Sequence, residues 1–226
     1  MNRLIRHIAL CALVALGTAC SMVPFKSTEL VPTEPLPAAA LVDGLWNAGG
    51  GTFLIRQSAL FEFRGMRMPV SGAMKLDTGK KSARLVGMND MGVKLFELTV
   101  DRTSCETHFI MADLGRYPGF ADAVATSVRR IFLAPEPARD DTLTVAPKSY
   151  RLTRFQDGTR FGFILGGRHQ QLLEKSAKSL NEQWRVRYYE HQWQQLRPIP
   201  RGIVLDDDKA GYRLTLWIES VEETDE

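Results

Sequence analysis

Between residues 53 and 111 the chain repeats one short pattern, apolar alternation closed by a turn, about every ten residues, and few folds accept that repetition. The stretch 53–64 holds Leu54, Ile55, Leu60, Phe61 and Phe63. After Gly65, residues 68–76 run to Asp77-Thr78-Gly79-Lys80, a turn by composition. Residues 83–88 lead to a second turn, Asn89-Asp90-Met91-Gly92. In 94–101, Phe96, Leu98 and Val100 share one face while Leu95, Glu97 and Thr99 share the other, and 103–111 can pair back. Consecutive hairpins of this kind build an antiparallel sheet.

One helix interrupts the strands. Tyr117-Pro118 puts a proline near its first turn, and Phe120, Val124, Val128, Ile131 and Phe132 recur at helical spacing until Pro135. Arg129 and Arg130 then fall at the C-terminal end, where they suit the helix dipole. The apolar stripe predicts packing on the sheet. Strands resume at 149–155 and 159–165, joined by Gln156-Asp157-Gly158. Residues 168–175 read as either strand or helix, and 182–190, 203–205 and 212–221 complete the set. The expected fold is mainly β with one amphipathic helix. About ten or eleven strands would leave an exposed edge unless the sheet curved strongly and closed or nearly closed.

The chemistry expected of an enzyme is not evident. Cys105, His108 and Asp113 are the types of a nucleophile, base and orienting acid. An odd separation along a strand, however, sends Cys105 and His108 to opposite faces. His169 and His191 have no partner at metal-binding spacing, so neither zinc nor another metal is expected. Asp206-Asp207-Asp208 lacks the glycine turn and later glutamate of a calcium loop and reads as a solvated turn. Gly49-Gly50-Gly51 precedes a strand rather than a helix, Gly166-Gly167 reads as a turn or bulge, and Ser71-Gly72 lacks the surroundings of a nucleophile elbow. No basic run is interleaved with aromatics, so nucleic acid is not an expected partner. The reading is of a non-enzymatic chain with no catalytic residue and no cofactor.

The N-terminus supplies an address. Arg3 and Arg6 precede an apolar run over residues 8–16 that is too short to span hydrocarbon and ends in Gly17-Thr18-Ala19-Cys20. This predicts a signal peptide over residues 1–19. A cysteine directly after such a cut resembles the lipobox of an exported lipoprotein, which implies acyl chains of the palmitate class on Cys20 and a membrane anchor. Gly17-Thr18-Ala19 also suits an ordinary signal peptidase, and the two outcomes differ only in the lipid. Ser21, in place of the aspartate of inner-membrane retention, favours the periplasmic face of the outer membrane. With Cys11 removed and Cys20 acylated, Cys105 is left alone as a buried, inert thiol. Residues 20–40 carry Pro24, Pro32, Pro35 and Pro37 and predict an extended tether, at about 3.1 Å per residue, ahead of one domain over 41–226. The full chain carries a formal charge of +3, of which Arg3 and Arg6 supply two, so the mature chain is close to neutral.

The order of pieces, the stretch Leu85-Val86-Gly87-Met88-Asn89-Asp90-Met91-Gly92-Val93-Lys94-Leu95-Phe96-Glu97-Leu98, the run Trp184-Arg185-Val186-Arg187-Tyr188 and the ending Leu214-Thr215-Leu216-Trp217-Ile218 resemble a group of proteobacterial lipoproteins. That group is LolA/LolB-like, related in fold to the carrier and the outer-membrane receptor of lipoprotein localisation. The resemblance implies an incomplete barrel of about eleven strands with a helical lid over an apolar groove that takes an acyl chain or a lipoprotein. The groove would be lined by Phe61, Phe63, Val86, Phe96, Leu98, Phe163, Trp184, Tyr188 and Leu216, with Val124, Val128, Ile131 and Phe132 in the lid. The receptor's exposed apolar loop has no clear counterpart in the sequence. For every one of these residues ordinary core packing is the competing reading. Three functions therefore stand open: a lipid-binding envelope lipoprotein that transfers or presents its ligand, a non-catalytic structural or assembly module with a solid core, and a hydrolase using Cys105.

Overall fold

The computed structural model describes residues 23–194 and 197–224. Residues 1–19, expected as a signal peptide, and Cys20 lie outside the described residues. Fourteen strands follow one another among those described: β1 (Thr52–Phe63), β2 (Met66–Asp77), β3 (Ser82–Met88), β4 (Lys94–Val100), β5 (Cys105–Ile110), β6 (Thr142–Ala146), β7 (Ser149–Gln156), β8 (Thr159–Gly166), β9 (Gln171–Lys178), β10 (Gln183–Tyr189), β11 (Gln192–Gln194), β12 (Arg197–Ile199), β13 (Gly202–Asp207) and β14 (Tyr212–Thr224). Twelve form one antiparallel sheet in the order β5-β4-β3-β2-β1-β14-β13-β10-β9-β8-β7-β6, and β11 pairs with β12 in a second sheet of two strands. The sheet is not closed, so β5 and β6 are its two edges.

The hairpin repeat accounts for this order. Each strand pairs with its sequence neighbour, and the C-terminal β14 returns to pair with β1 along its full length, from Thr52 opposite Thr224 to Phe63 opposite Tyr212. One extra residue in β14, Glu219, bulges between the partners of Arg56 and Gln57. The bulge resets the side-chain phase, so Leu214, Leu216 and Ile218 face inward above it and Val221 below. The expectation of about eleven strands missed β6 and the β11–β12 hairpin, which are three to five residues long. The ambiguous 168–175 resolves as a strand that begins later, after a turn in which Gly167 and Gln170 have positive φ.

The chain between the two edges carries the helices. α2 (Ala112–Gly115) and α3 (Phe120–Val128) lead into a single π turn, Arg129–Leu133, and together they cross the open side of the sheet. An earlier helix, α1 (Ala38–Asp43), plugs one end of the barrel. Leu41 and Leu45 are buried there, and Trp46 meets Phe53 edge to face at 5.8 Å.

The segment expected as a free tether is part of the domain. Phe25 lies against Gly202, stacked on Tyr189 at 5.7 Å and tilted over Trp217 at 5.6 Å. Thr28 Oγ1 meets His191 Nδ1 at 3.3 Å, Thr33 bonds Pro147 and Ala146, and the Tyr150 hydroxyl donates to the Glu34 carbonyl at 2.6 Å. The prolines keep this segment out of regular structure, and its backbone finds partners on the barrel instead.

Candidate functional site

Two regions of the curved sheet are filled differently because their inward side chains differ in size. Around β7 to β10 and β13 the inward positions are Tyr150, Leu152, Phe163, Leu165, Trp184, Val186, Ile203 and Leu205, all buried, and the space between them is solid. At the α1 end of β1 to β4, Phe53, Ile55, Met74, Leu76, Leu98 and Val100 do the same. Further along these strands the inward positions shrink to Gln57, Ala59, Val70, Gly72 and Gly87. Gly87 has the ring of Phe96 lying against it, where a Cβ would collide, and a Cβ on Gly72 would strike the Val86 carbonyl. Large side chains return only towards the strand ends, as Phe61, Phe63, Met66 and Met68.

Small residues backed by large ones leave a void. It measures about 950 Å³ and lies between these strands, the Tyr212–Leu216 part of β14 and the helices. Ligand pockets typically run from about 300 to 1,000 Å³, so this one is at the generous end. Its wall is overwhelmingly apolar. Its mouth opens where β1 turns into β2 and where α2 gives way to α3, between Met66 and Tyr117, which are 51% and 60% exposed.

The lid is fastened unequally. At its C-terminal end Arg129 donates to the carbonyls of Asp101 (2.7 Å) and Ser104 (2.6 Å), while Arg130 pairs with Asp207 at 2.5 Å and lies 5.1 Å from the ring centre of Trp184. The Tyr188 hydroxyl donates to the Ile131 carbonyl at 2.7 Å. At its N-terminal end Gly119 is left-handed with φ 78°, and no side chain caps the helix. Packing of Phe120 on Phe96 at 5.5 Å supplies contact there. Midway, Ser127 Oγ and Tyr212 Oη share a hydrogen bond of 2.9 Å.

Five of the nine residues expected in the groove line this cavity: Phe61, Phe63, Val86, Phe96 and Leu216. Val124, Val128, Ile131 and Phe132 line it from the lid. The other four lie elsewhere. Leu98 and Phe163 are fully buried in solid core, while Trp184 and Tyr188 hold the lid's C-terminal end. The resemblance implies these four as groove residues, and a position on the inward face does not tell a filled part of that face from an empty one. The methionine pair Met66 and Met68, with Tyr212 and Leu214, was passed over. Their period of two beside Val70 was the available signal.

One further expectation is corrected. Asp206 and Asp207 are not a solvated turn: Asp206 holds Arg187 at 2.5 Å and Arg213 at 2.6 Å, and Asp207 accepts the amides of Lys209 and Ala210 while pairing with Arg130. Met91, 83% exposed in the turn between β3 and β4, is a single apolar side chain rather than an apolar loop. Flanked by Asn89, Asp90 and Gly92, it forms no apolar run.

Cys105, His108 and Asp113 are dispersed. The Cys105 thiol points at the Ala121 carbonyl under the lid, and burial raises its pKa. His108 bonds Thr99 Oγ1 at 2.8 Å, and Asp113 lies 3.6 Å from Arg116.

No family model and no curated protein matches the sequence. Solved structures do match in fold. A LolA superfamily protein from Nitrosomonas europaea superposes with a TM-score of 0.56 over 85% of this chain and 96% of its own, at 9% identity. A domain described as an outer membrane lipoprotein-sorting protein, from Vibrio parahaemolyticus, gives 0.50 over 83% and 89% at 8% identity. A DUF1329 family protein from Desulfovibrio piger gives 0.50 over 82% and 91% at 6% identity. The chain has the LolA-like fold, an open antiparallel barrel with a helix across its open side.

Proposed function

Starting from that fold, we propose that the protein is a cell-envelope lipoprotein, anchored through acyl chains on Cys20 at the periplasmic face of the outer membrane. Its cavity takes an acyl chain or an acylated protein for transfer or presentation. The observation that carries this reading is the void of about 950 Å³ in an otherwise solid barrel, walled by apolar side chains and covered by one helix. An apolar ligand covering that lining gains both burial and dispersion contacts, and an acyl chain has the chemistry to supply them. Each buried methylene contributes about 0.8 kcal/mol, so ten give about 8 kcal/mol, the scale of a micromolar dissociation constant before ordering costs. Two structural neighbours, one a LolA superfamily protein and one described as an outer membrane lipoprotein-sorting domain, support a role of this class.

The reading needs no covalent step, and Cys105 contributes to it as a packed thiol. The test is mass spectrometry of the domain purified from cells under non-denaturing conditions. A co-purifying lipid or acylated peptide, lost when the domain is denatured, is expected. A domain that carries none and takes up none from added fatty acid or diacylglycerol would be a structural module instead.

A further inference from the structure

The cavity differs in chemistry between its deep end and its mouth. Gln57 stands at the deep end, one inward position beyond the buried Ile55, and pairs in register with Ile218 of β14 and Gly72 of β2. Gly72 in turn pairs with Gly87, so the wall beside the Gln57 side chain carries no side chain across two strands. The amide oxygen of Gln57, Oε1, is buried and has no hydrogen-bond partner. Towards the mouth, Phe63 pairs with Met66 about 20 Å further along β1.

Charge is placed the other way. Among the described residues that line the cavity, Asp113 and Arg116 are the charged ones, and they lie at the mouth, 3.6 Å from each other. The rim beside them is apolar, with Met66 and Tyr117 exposed. A chain entering tail first would press its methyl end against the unpaired amide and leave its polar group among the apolar rim. A ligand seated polar end inward does neither. Its polar group is uncharged, because no cation lines the deep end and burying an unpaired carboxylate costs far more than burying a hydroxyl. The last side-chain torsion of glutamine is broad and roughly two-fold, so Gln57 can turn either its oxygen or its NH2 group to the cavity. A hydroxyl, which both donates and accepts, satisfies either.

We infer that Gln57 is the polar subsite of the cavity and selects a long-chain lipid bearing an uncharged hydroxyl, a fatty alcohol or an acylglycerol, seated hydroxyl inward with its chain running towards Met66. This rests on the proposed reading of the cavity as a lipid site and names the ligand class it takes. The test uses the full chain carrying Cys20→Ser, so that no acyl chain of its own competes. It measures displacement of a fluorescent fatty acid by 1-dodecanol and by tridecane, in which a methyl group replaces the hydroxyl. Gln57→Leu is expected to weaken dodecanol about tenfold relative to tridecane, the effect of one hydrogen bond. Because it removes a buried oxygen that has no partner, the same substitution is expected to keep or raise the Tm of the ligand-free protein.

A nitroxide at the far chain end of a fatty alcohol reads the orientation. It is expected to broaden the methyl resonances of Met66 and Met68 in the cavity wall more than that of Met74, which is fully buried beyond Gly72. Stronger broadening at Met74 overturns the orientation. An equal effect of Gln57→Leu on dodecanol and tridecane, or none on either, overturns the subsite while the cavity remains a lipid site. A Tm lowered by several degrees makes the amide a structural group and overturns the subsite as well. If neither the fluorescent fatty acid nor either competitor binds the natural sequence, the cavity reading fails together with the subsite.

Discussion

His191 joins the segment 25–34 to the barrel through Thr28, and its protonation state is set by where it lies. Burial lowers its pKa from 6.5 to about 4, against the opposing effect of its hydrogen bond to the Leu172 carbonyl. The folded form therefore holds the neutral ring while the unfolded chain takes up a proton first. Stability from this site is complete above about pH 6.5 and is lost as pH falls through about 4, by about 3 kcal/mol over the window at 1.36 kcal/mol per unit. Thermal unfolding followed between pH 7 and 4 is expected to show that loss, with a flatter profile in His191→Gln. Tyr212 carries a second residue-scale prediction. Tyr212→Phe removes its hydrogen bond to Ser127, which keeps the Ala123 carbonyl as acceptor, and is expected to cost about 1 kcal/mol, or roughly 2 to 4 °C in Tm. Gly87→Ala is expected to cost more, about 1 to 3 kcal/mol, because the new Cβ displaces the Phe96 ring. An unchanged Tm in that variant would show that Phe96 does not rest on Gly87.

Among the elements, the lid covers the cavity. Arg130 is the centre of its fixed end, where its side chain is 14% exposed and that of Asp207 only 6%. Removing one partner of so buried a pair leaves the other charged without compensation, so Arg130→Met is expected to lose about 3 kcal/mol. Hydrogen exchange is expected to quicken most at residues 120–133, and equal quickening throughout the sheet would contradict a local role. These same elements show what a sequence can reveal. The hairpin strands, the helix and its apolar stripe were legible because period two and period 3.6 are properties of the backbone, repeated over many residues. The docking of residues 25–34 was not, since Phe25 finds Gly202, Tyr189 and Trp217 only after the chain has folded back across far-separated strands. Arg129 and Arg130 were assigned to the helix dipole from position alone. Their partners, Asp101, Ser104 and Asp207, lie at turns that only the tertiary fold brings near.

At the scale of the whole molecule, one sheet is packed solid through much of its interior and left open at the other end. The difference lies in a few small inward positions, Ala59, Gly72 and Gly87, set between rows of Phe and Leu. Alternation identified the inward face, but the emptiness depends on how side chains from five strands and a helix add up in volume, which no single stretch records. If the void is a binding site, filling it must abolish binding while leaving the barrel folded. The direct measurement is the dissociation constant of a fluorescent fatty acid for the purified domain and for Ala59→Trp, whose indole would occupy the cavity between Phe61 and Leu216. Binding in the micromolar range by the natural sequence, weakened at least tenfold by Ala59→Trp with the unfolding transition retained, is the predicted result. Equal binding by both proteins, or by neither, would contradict the cavity as the seat of function.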